Sequence, residues 1–299
     1  MKKAVITGAT GSIGHALIDK LLSESVDVTV LYHKGSSRIS TIPDGEHIRK
    51  IPCSLDEMKS LIPDEKDYDV FYHLAWAGTT GAARDDADLQ LKNIEYTLDA
   101  AELAKRMGCR KFIGAGSQAE YGLSDKPLTP DTPTFPFTGY GMAKLAAGQL
   151  TKLKCRKLGI DFSWVRILSV YGKYDPEKSV IKSAIDRFAH NERAEFSKGE
   201  QLWDFLNAKD AANALYLIGC DSEHNESVYC LGGGKSAPLR EYIKTIHKLC
   251  KSRSEIDFGA VPYSKNQVMF LQADISALTN DTGFIPTIGF EDGIKELLD

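Results

Sequence analysis

The sequence has no strong excess of either charge sign, no C-x-x-C pair and no apolar run long enough to cross a bilayer. With 37 Lys and Arg against 41 Asp and Glu, the net charge is −4, which gives no general attraction to nucleic acid or anionic lipid. Six cysteines (Cys53, Cys109, Cys155, Cys220, Cys230 and Cys250) are scattered without metal-ligand spacing. They read as reduced, packed thiols of a cytoplasmic protein, and no metal site is expected. Met1-Lys2-Lys3 and the apolar residues after it imitate a signal peptide. Gly8, Gly11 and Gly14 break that run, and no small-residue cleavage site follows. Internal repeats, coiled-coil heptads and low-complexity tracts are also missing. What remains is a chain of 299 residues, 42% of them hydrophobic, enough to bury one large core or two moderate ones.

The N-terminal half alternates short apolar runs with helical periodicity. Strands are expected at Lys3–Ile6, Val26–Leu31, His47–Pro52, Asp69–Leu74, Lys111–Ala115 and Asp161–Leu168. Helices are expected after Gly14, over Leu89–Met107 and over Tyr140–Leu158. This rhythm predicts an α/β fold, a Rossmann-type doubly wound parallel sheet. Beyond residue 168 the rhythm stops, and helices at Val180–Ala189, Asn207–Cys220 and Pro238–Cys250 flank a strand at Ser227–Leu231. The expected division is a dinucleotide-binding domain over 1–168 with returning segments at about 204–232. A smaller, interleaved substrate-binding part takes 169–203 and 233–299.

Gly8-Ala-Thr-Gly11-Ser12-Ile13-Gly14 joins the first strand to the first helix. A strand, a glycine-rich turn and a helix in this order let backbone N–H groups and the helix N-terminus meet a pyrophosphate. The spacing is G-x-x-G-x-x-G rather than the G-x-G-x-x-G of many dinucleotide folds. At the end of the second strand, where an acid would hold the ribose hydroxyls of NAD, stands Tyr32. His33, Lys34, Ser36, Ser37 and Arg38 follow. Cations and hydroxyls without a carboxylate suit a 2′-phosphate, so NADP is expected, with NAD as the alternative. Ser54 and Leu55 stand where adenine would be flanked. Leu74, Ala75, Trp76 and Ala77 follow the fourth strand, at which a cofactor would lie against the backbone. Tyr140 and Lys144 are four residues apart at a helix start, so their side chains share a face. A cation beside a phenol favours the phenolate, which makes tyrosine useful in proton transfer. Ser117, at the end of the fifth strand, faces the ligand crevice of such a sheet.

Together these residues resemble an extended short-chain dehydrogenase/reductase of the NAD(P)-dependent epimerase/dehydratase family, whose members act on nucleotide sugars. Gly8/Gly11/Gly14, His73-Leu74-Ala75, Asn93, Ser117, Tyr140/Lys144, Arg166 with Val170-Tyr171-Gly172, Asp204-Phe205, Asp210 and Gly232–Gly234 stand in family order. The likeness runs through Gly283-Phe284-Ile285-Pro286 and so covers nearly the whole chain.

The resemblance implies that Tyr140 exchanges a proton with a sugar oxygen, that Lys144 lowers its pKa and holds the nicotinamide ribose, and that Ser117 polarises the same oxygen. It implies that Gly8, Gly11, Ile13 and Gly14 cradle the pyrophosphate, and it brings Asn93 into the cofactor site. It also implies a homodimer through helices Leu91–Met107 and Tyr140–Leu158. Two departures bear on the substrate. Gln118 and Ala119 replace the Asp-Glu pair of the dehydratase branch and leave no acid–base pair for eliminating water. Ser169 and Trp203 replace the usual Asn and Arg at the nucleotide diphosphate, so Lys173, Lys178, Lys198, Lys235 and Arg240 become the substitute cations to examine. The expected activity is a nucleotide-sugar oxidoreductase, with a 4-keto-sugar reductase ahead of a 4-epimerase. Reduction of a non-sugar carbonyl and a non-catalytic dinucleotide-binding role are the further alternatives.

Overall fold

The short apolar runs form parallel strands here because each connection, whether helix or loop, carries the chain back to the same end of the sheet. The structure is a computed structural model that describes residues 1–298. Asp299, the last residue of the expected substrate-binding part, lies outside the described residues. In chain order the strands are β1 (Lys3–Thr7), β2 (Asp27–Tyr32), β3 (Ile48–Pro52), β4 (Val70–His73), β5 (Lys111–Ser117), β6 (Asp161–Ile167), β7 (Ser169–Tyr171), β8 (Ala194–Phe196), β9 (Leu202–Trp203), β10 (Phe205–Asn207), β11 (Glu226–Leu231), β12 (Ala237–Pro238) and β13 (Ile256–Phe258). The helices are α1 (Ser12–Ser23), α2 (Ala87–Arg106), α3 (Gly139–Leu158), α4 (Val180–Ala189), α5 (Ala208–Cys220), α6 (Leu239–Leu249), α7 (Ser276–Thr282) and α8 (Phe290–Leu298).

Seven strands make one sheet in the order β11-β6-β5-β4-β1-β2-β3. Every pairing in it is parallel, with Ile6 opposite both Val30 and Tyr72 and Gly116 opposite Arg166. The order reverses at β1/β4, the switch point where such sheets open a ligand crevice. Leu17, Ile18 and Leu21 of α1 and Ala211, Leu215 and Ile218 of α5 cover one face. Ala100, Leu103 and Ala104 of α2 with Ala147 and Cys155 of α3 cover the other. Phe188, Ile243, Ile246 and Ile294 form a separate core among α4, α6 and α8. All the strands expected in the first 168 residues are present within two or three residues of their expected ends.

Two buried carboxylates from the family-like motifs tie the returning segments together. Asp204 accepts from the N–H groups of Gly233, Gly234 and Ala273. Asp210 accepts from Thr287 and Ile288. The six cysteines are free thiols. No described helix is long and apolar enough to cross a membrane, and no group of three or more candidate metal ligands occurs among the described residues.

Candidate active site

The turn after β1 has the shape of a cradle because side chains are excluded from it. Gly8 adopts φ +75°, and a Cβ there would lie 2.6 Å from the Ala75 nitrogen. A Cβ on Gly14 would lie 2.5 Å from the Gly8 carbonyl oxygen. Gly11 caps α1 with no side-chain hydrogen bond, so the first N–H groups of that helix remain free for an anion. These features fit the pyrophosphate of a dinucleotide.

A cavity of about 450 Å³ runs from this turn past the end of β2. Gly8, Gly11, Ser12, His33, Arg38, Leu55, Leu74, Ala75, Trp76 and Ala77 line it as expected, and a smaller adjoining recess adds Ile13 and Gly14. Tyr32, Ser36, Cys53, Met58 and Thr79 also line it, as do Tyr174, Asp175 and Pro176 from the loop after β7. Ser12 donates to the Asp175 carboxylate at 2.6 Å, and Tyr174 stacks on His15 at 3.6 Å. A loop more than 150 residues distant in sequence thus closes over the turn, which local pattern gave no means of foreseeing.

Six expected cofactor contacts do not line this cavity or its adjoining recess: Tyr140, Lys144 and four others. Lys34 points away and pairs with Glu57 at the surface, and Ser37 lies in an exposed 3-10 turn rather than on the cavity wall. Ser54 is occupied in a reciprocal cap with Glu57. Asn93 is buried behind the wall, where its amide accepts from Ala77 N–H and donates to the Ala77 carbonyl, both at 2.9 Å. It holds the wall in place and has no surface to offer a ligand.

Ser117, Tyr140 and Lys144 converge from the end of β5 and the first two turns of α3. Thr138 caps α3 by accepting from Gly141 N–H, which sets the helix start so that Tyr140 and Lys144 share one face. Lys144 is buried and donates to the Ala115 carbonyl at 2.7 Å. Its ammonium lies 3.7 Å from the centre of the Trp76 ring and 5.8 Å from that of Tyr140. Burial pushes the Lys144 pKa down to about 7, while Glu120 opposes the shift. Burial raises the Tyr140 pKa, against the lowering effects of the Ser117 hydroxyl and of Arg84. The Arg84 guanidinium sits 4.3 Å over the tyrosine ring. The expected lowering of the phenol by Lys144 is therefore absent from this arrangement. The ammonium is turned to a carbonyl and an indole face, and Arg84 is the cation that acts on the phenol.

Trp76 stands edge-on to Tyr140 at 6.0 Å, and its indole N–H donates to Gln90 at 2.9 Å. His73 behind it bonds Thr7 at 2.9 Å and is held neutral by burial, with a pKa of about 3.

A second cavity of about 470 Å³ lies on the C-terminal side, and Asp175 borders both. Ser169 and Trp203 line it, and Trp203 donates to the Ser169 hydroxyl at 2.9 Å. Gln118 does not line it. No Lys or Arg stands among its described lining residues. Of the five substitute cations, Arg240 donates to the Lys198 carbonyl at 2.6 Å and faces Glu200.

The family profile described as NAD dependent epimerase/dehydratase matches residues 4–232. The chain belongs to this family. It is an NAD-dependent enzyme family of the extended short-chain dehydrogenase/reductase type. Among relatives of this epimerase/dehydratase chain, a provisionally named UDP-glucose 4-epimerase of Methanocaldococcus jannaschii is 28% identical, covering 98% of this chain and 96% of that protein. The dTDP-4-dehydro-6-deoxyglucose reductase of Escherichia coli is 24% identical, covering 98% and 96%. The solved UDP-N-acetylglucosamine 4-epimerase from Methanobrevibacter ruminantium M1, in complex with UDP-N-acetylmuramic acid, superposes with a TM-score of 0.89 at 24% identity, over 99% of this chain and 97% of that one.

Proposed function

We propose that this enzyme is a 4-keto reductase of a nucleotide sugar that uses NADPH. The observation that carries the reading is the adenosine end of the cavity, where Tyr32, His33, Ser36 and Arg38 stand and no carboxylate does. A cation and hydroxyls in place of an acid favour a 2′-phosphate, and a reductase consumes its cofactor rather than recycling it.

When bound, the nicotinamide supplies hydride to the carbonyl carbon. Tyr140 gives its proton to the carbonyl oxygen, and its raised pKa keeps that proton on the phenol at neutral pH. Ser117 donates a hydrogen bond to the same oxygen. Lys144, once drawn from the Ala115 carbonyl, holds the ribose and returns the proton to Tyr140. Gln118 and Ala119 supply no acid or base, which argues against elimination of water. The substrate occupies the C-terminal cavity beside Ser169 and Trp203, within the part formed by 169–203 and 233–298. The protein acts in the cytoplasm as a homodimer built on α2 and α3.

A nucleotide-sugar 4-epimerase is the second reading, favoured by the Methanocaldococcus jannaschii relative, which carries that activity in its name.

The test is turnover of 4-keto-sugar nucleotides, simple ketones and aldehydes with NADPH and with NADH, alongside direct measurement of both cofactor affinities. The expected result is stoichiometric NADPH oxidation with a keto-sugar nucleotide, which Tyr140→Phe reduces by about 10²- to 10⁴-fold with cofactor affinity unchanged. NAD retained through purification, with interconversion of 4-epimers and no net oxidation, would establish the epimerase instead.

A further inference from the structure

The turn that ends β5 carries a carboxylate with no part in the proton transfer described above. Glu120 is fully buried. Its Oε1 accepts from the Ser117 N–H at 2.8 Å and from the Trp164 indole N–H at 2.9 Å. Its Oε2 accepts from Arg166 Nε at 2.8 Å. The Ser117 hydroxyl in return accepts from the Ala119 N–H at 3.2 Å, so the two side chains close a reciprocal cap around the turn.

Three glycines make the space for this arrangement. A Cβ on Gly116 would fall 2.6 Å from Glu120 Oε1 and 2.4 Å from Trp164 Nε1. Cβ atoms on Gly114 and Gly148 would strike the same indole at 2.3 and 2.8 Å. A buried ion pair is poor value as a structural element, because apolar residues of the same volume commonly hold a fold equally well. Its location against Ser117 gives it a different use.

We propose that Glu120 is a positioning residue of the active site: it locks the turn that presents the Ser117 hydroxyl, and it fixes a negative charge, oriented by Arg166, behind the Tyr140–Lys144 pair. The inference rests on the assignment of Ser117, Tyr140 and Lys144 as the reacting residues.

The charged and titratable surroundings are few. Lys144 on α3 faces the neutral His73 of β4, and its ammonium is 6.0 Å from the ring of the Trp164 that Glu120 holds. Tyr140 faces Arg84 from the turn before α2. Arg166 on β6 is kept on the far side by Tyr121 and the Pro130 carbonyl, at 2.9 and 3.0 Å, and Tyr121 in turn meets the Cys230 thiol at 3.0 Å. Glu120 is the carboxylate that acts on both members of the pair, raising the proton affinity of each.

The experiment is Glu120→Gln, read in two ways. Ultraviolet titration of the phenol at Tyr140, isolated as each protein minus its Tyr140→Phe counterpart, needs no substrate. The pH profile of kcat needs one. Removal of the carboxylate moves the Tyr140 midpoint to lower pH and carries the alkaline limb of kcat in the same direction. A shift of one pH unit corresponds to about a tenfold loss of activity on that limb. The cofactor Kd stays unchanged. Where the single variant does not fold, Glu120→Gln/Arg166→Gln removes both charges while keeping hydrogen-bonding groups, and a smaller shift in the same direction is expected, because loss of the more distant Arg166 charge offsets part of the effect. A folded variant whose Tyr140 midpoint stays in place overturns the proposal, even if its melting temperature falls. If the wild-type protein reduces no keto-sugar nucleotide, the functional reading fails while the phenol titration still decides the role of Glu120.

Discussion

Lys144 meets two opposing demands. In the proposed mechanism it must hold a proton for Tyr140, yet it is buried among Trp76, Trp164 and the β5 backbone. Burial removes water from the ammonium and lowers its pKa to about 7, and Glu120 limits the fall. The consequence for stability has a definite sign. The unfolded lysine titrates near its ordinary value of 10.5, so between about pH 7 and that value the unfolded chain binds more protons than the folded one. The unfolding free energy contributed by this group therefore rises with pH across that window. Denaturant unfolding of the ligand-free protein at pH 7 and pH 9, compared with Lys144→Met, isolates the effect. Wild type is expected to gain stability relative to the variant as pH rises, and parallel behaviour of the two would show that Lys144 is not desolvated. At this scale the sequence named Ser117, Tyr140 and Lys144, which the fold brings together, but not Arg84, the cation that lies over the phenol ring. Arg84 lies 56 residues before Tyr140 and reaches its ring only because the loop before α2 folds back over the start of α3.

At the scale of elements, the unit of β1, the glycine turn and α1 was fully legible, because its function depends on backbone shape and therefore on which positions lack side chains. Gly14→Ala tests this directly. The added methyl would meet the Gly8 carbonyl at 2.5 Å, and neither backbone atom can yield without opening the turn. Calorimetric titration is expected to give at least about a tenfold loss of dinucleotide affinity, equivalent to about 1.4 kcal/mol. Unchanged affinity would mean that the pyrophosphate lies elsewhere. The segment after β2 was less legible. Its composition of cations and hydroxyls is visible in sequence, but which of them faces the cavity depends on the loop path. Lys34 turned to Glu57, and Ser36 rather than Ser37 reached the wall. Gly114, Gly116 and Gly148 carry a similar lesson. Their spacing suggests nothing, and their meaning appears only when Trp164 and Glu120 are seen to fill the room they leave.

For the whole molecule, α2 and α3 lie side by side on the sheet and leave Leu91, Met142, Leu150 and Leu153 exposed, between 44% and 58%. Four large apolar side chains on one helix pair form a patch that water covers poorly. A second copy of the same pair would bury it in a two-fold interface. Sedimentation is expected to give a dimer for the wild type and a monomer for Leu153→Lys with Met142→Lys, the sheet core being untouched. A wild-type monomer at micromolar concentration would exclude the arrangement.

The sequence by itself determined the doubly wound sheet, the glycine cradle and the Ser117, Tyr140 and Lys144 set. Each of these follows from local periodicity, from missing side chains or from spacing along one helix. Only the tertiary structure decided that Trp76 packs against both Lys144 and Tyr140 and that Asp175 returns to Ser12. It alone placed Asn93 behind the cavity wall and Glu120 with Arg166 against the turn that carries Ser117. These are meetings of segments remote in sequence, set by side-chain direction and close packing, and nothing within a short window of residues encodes them.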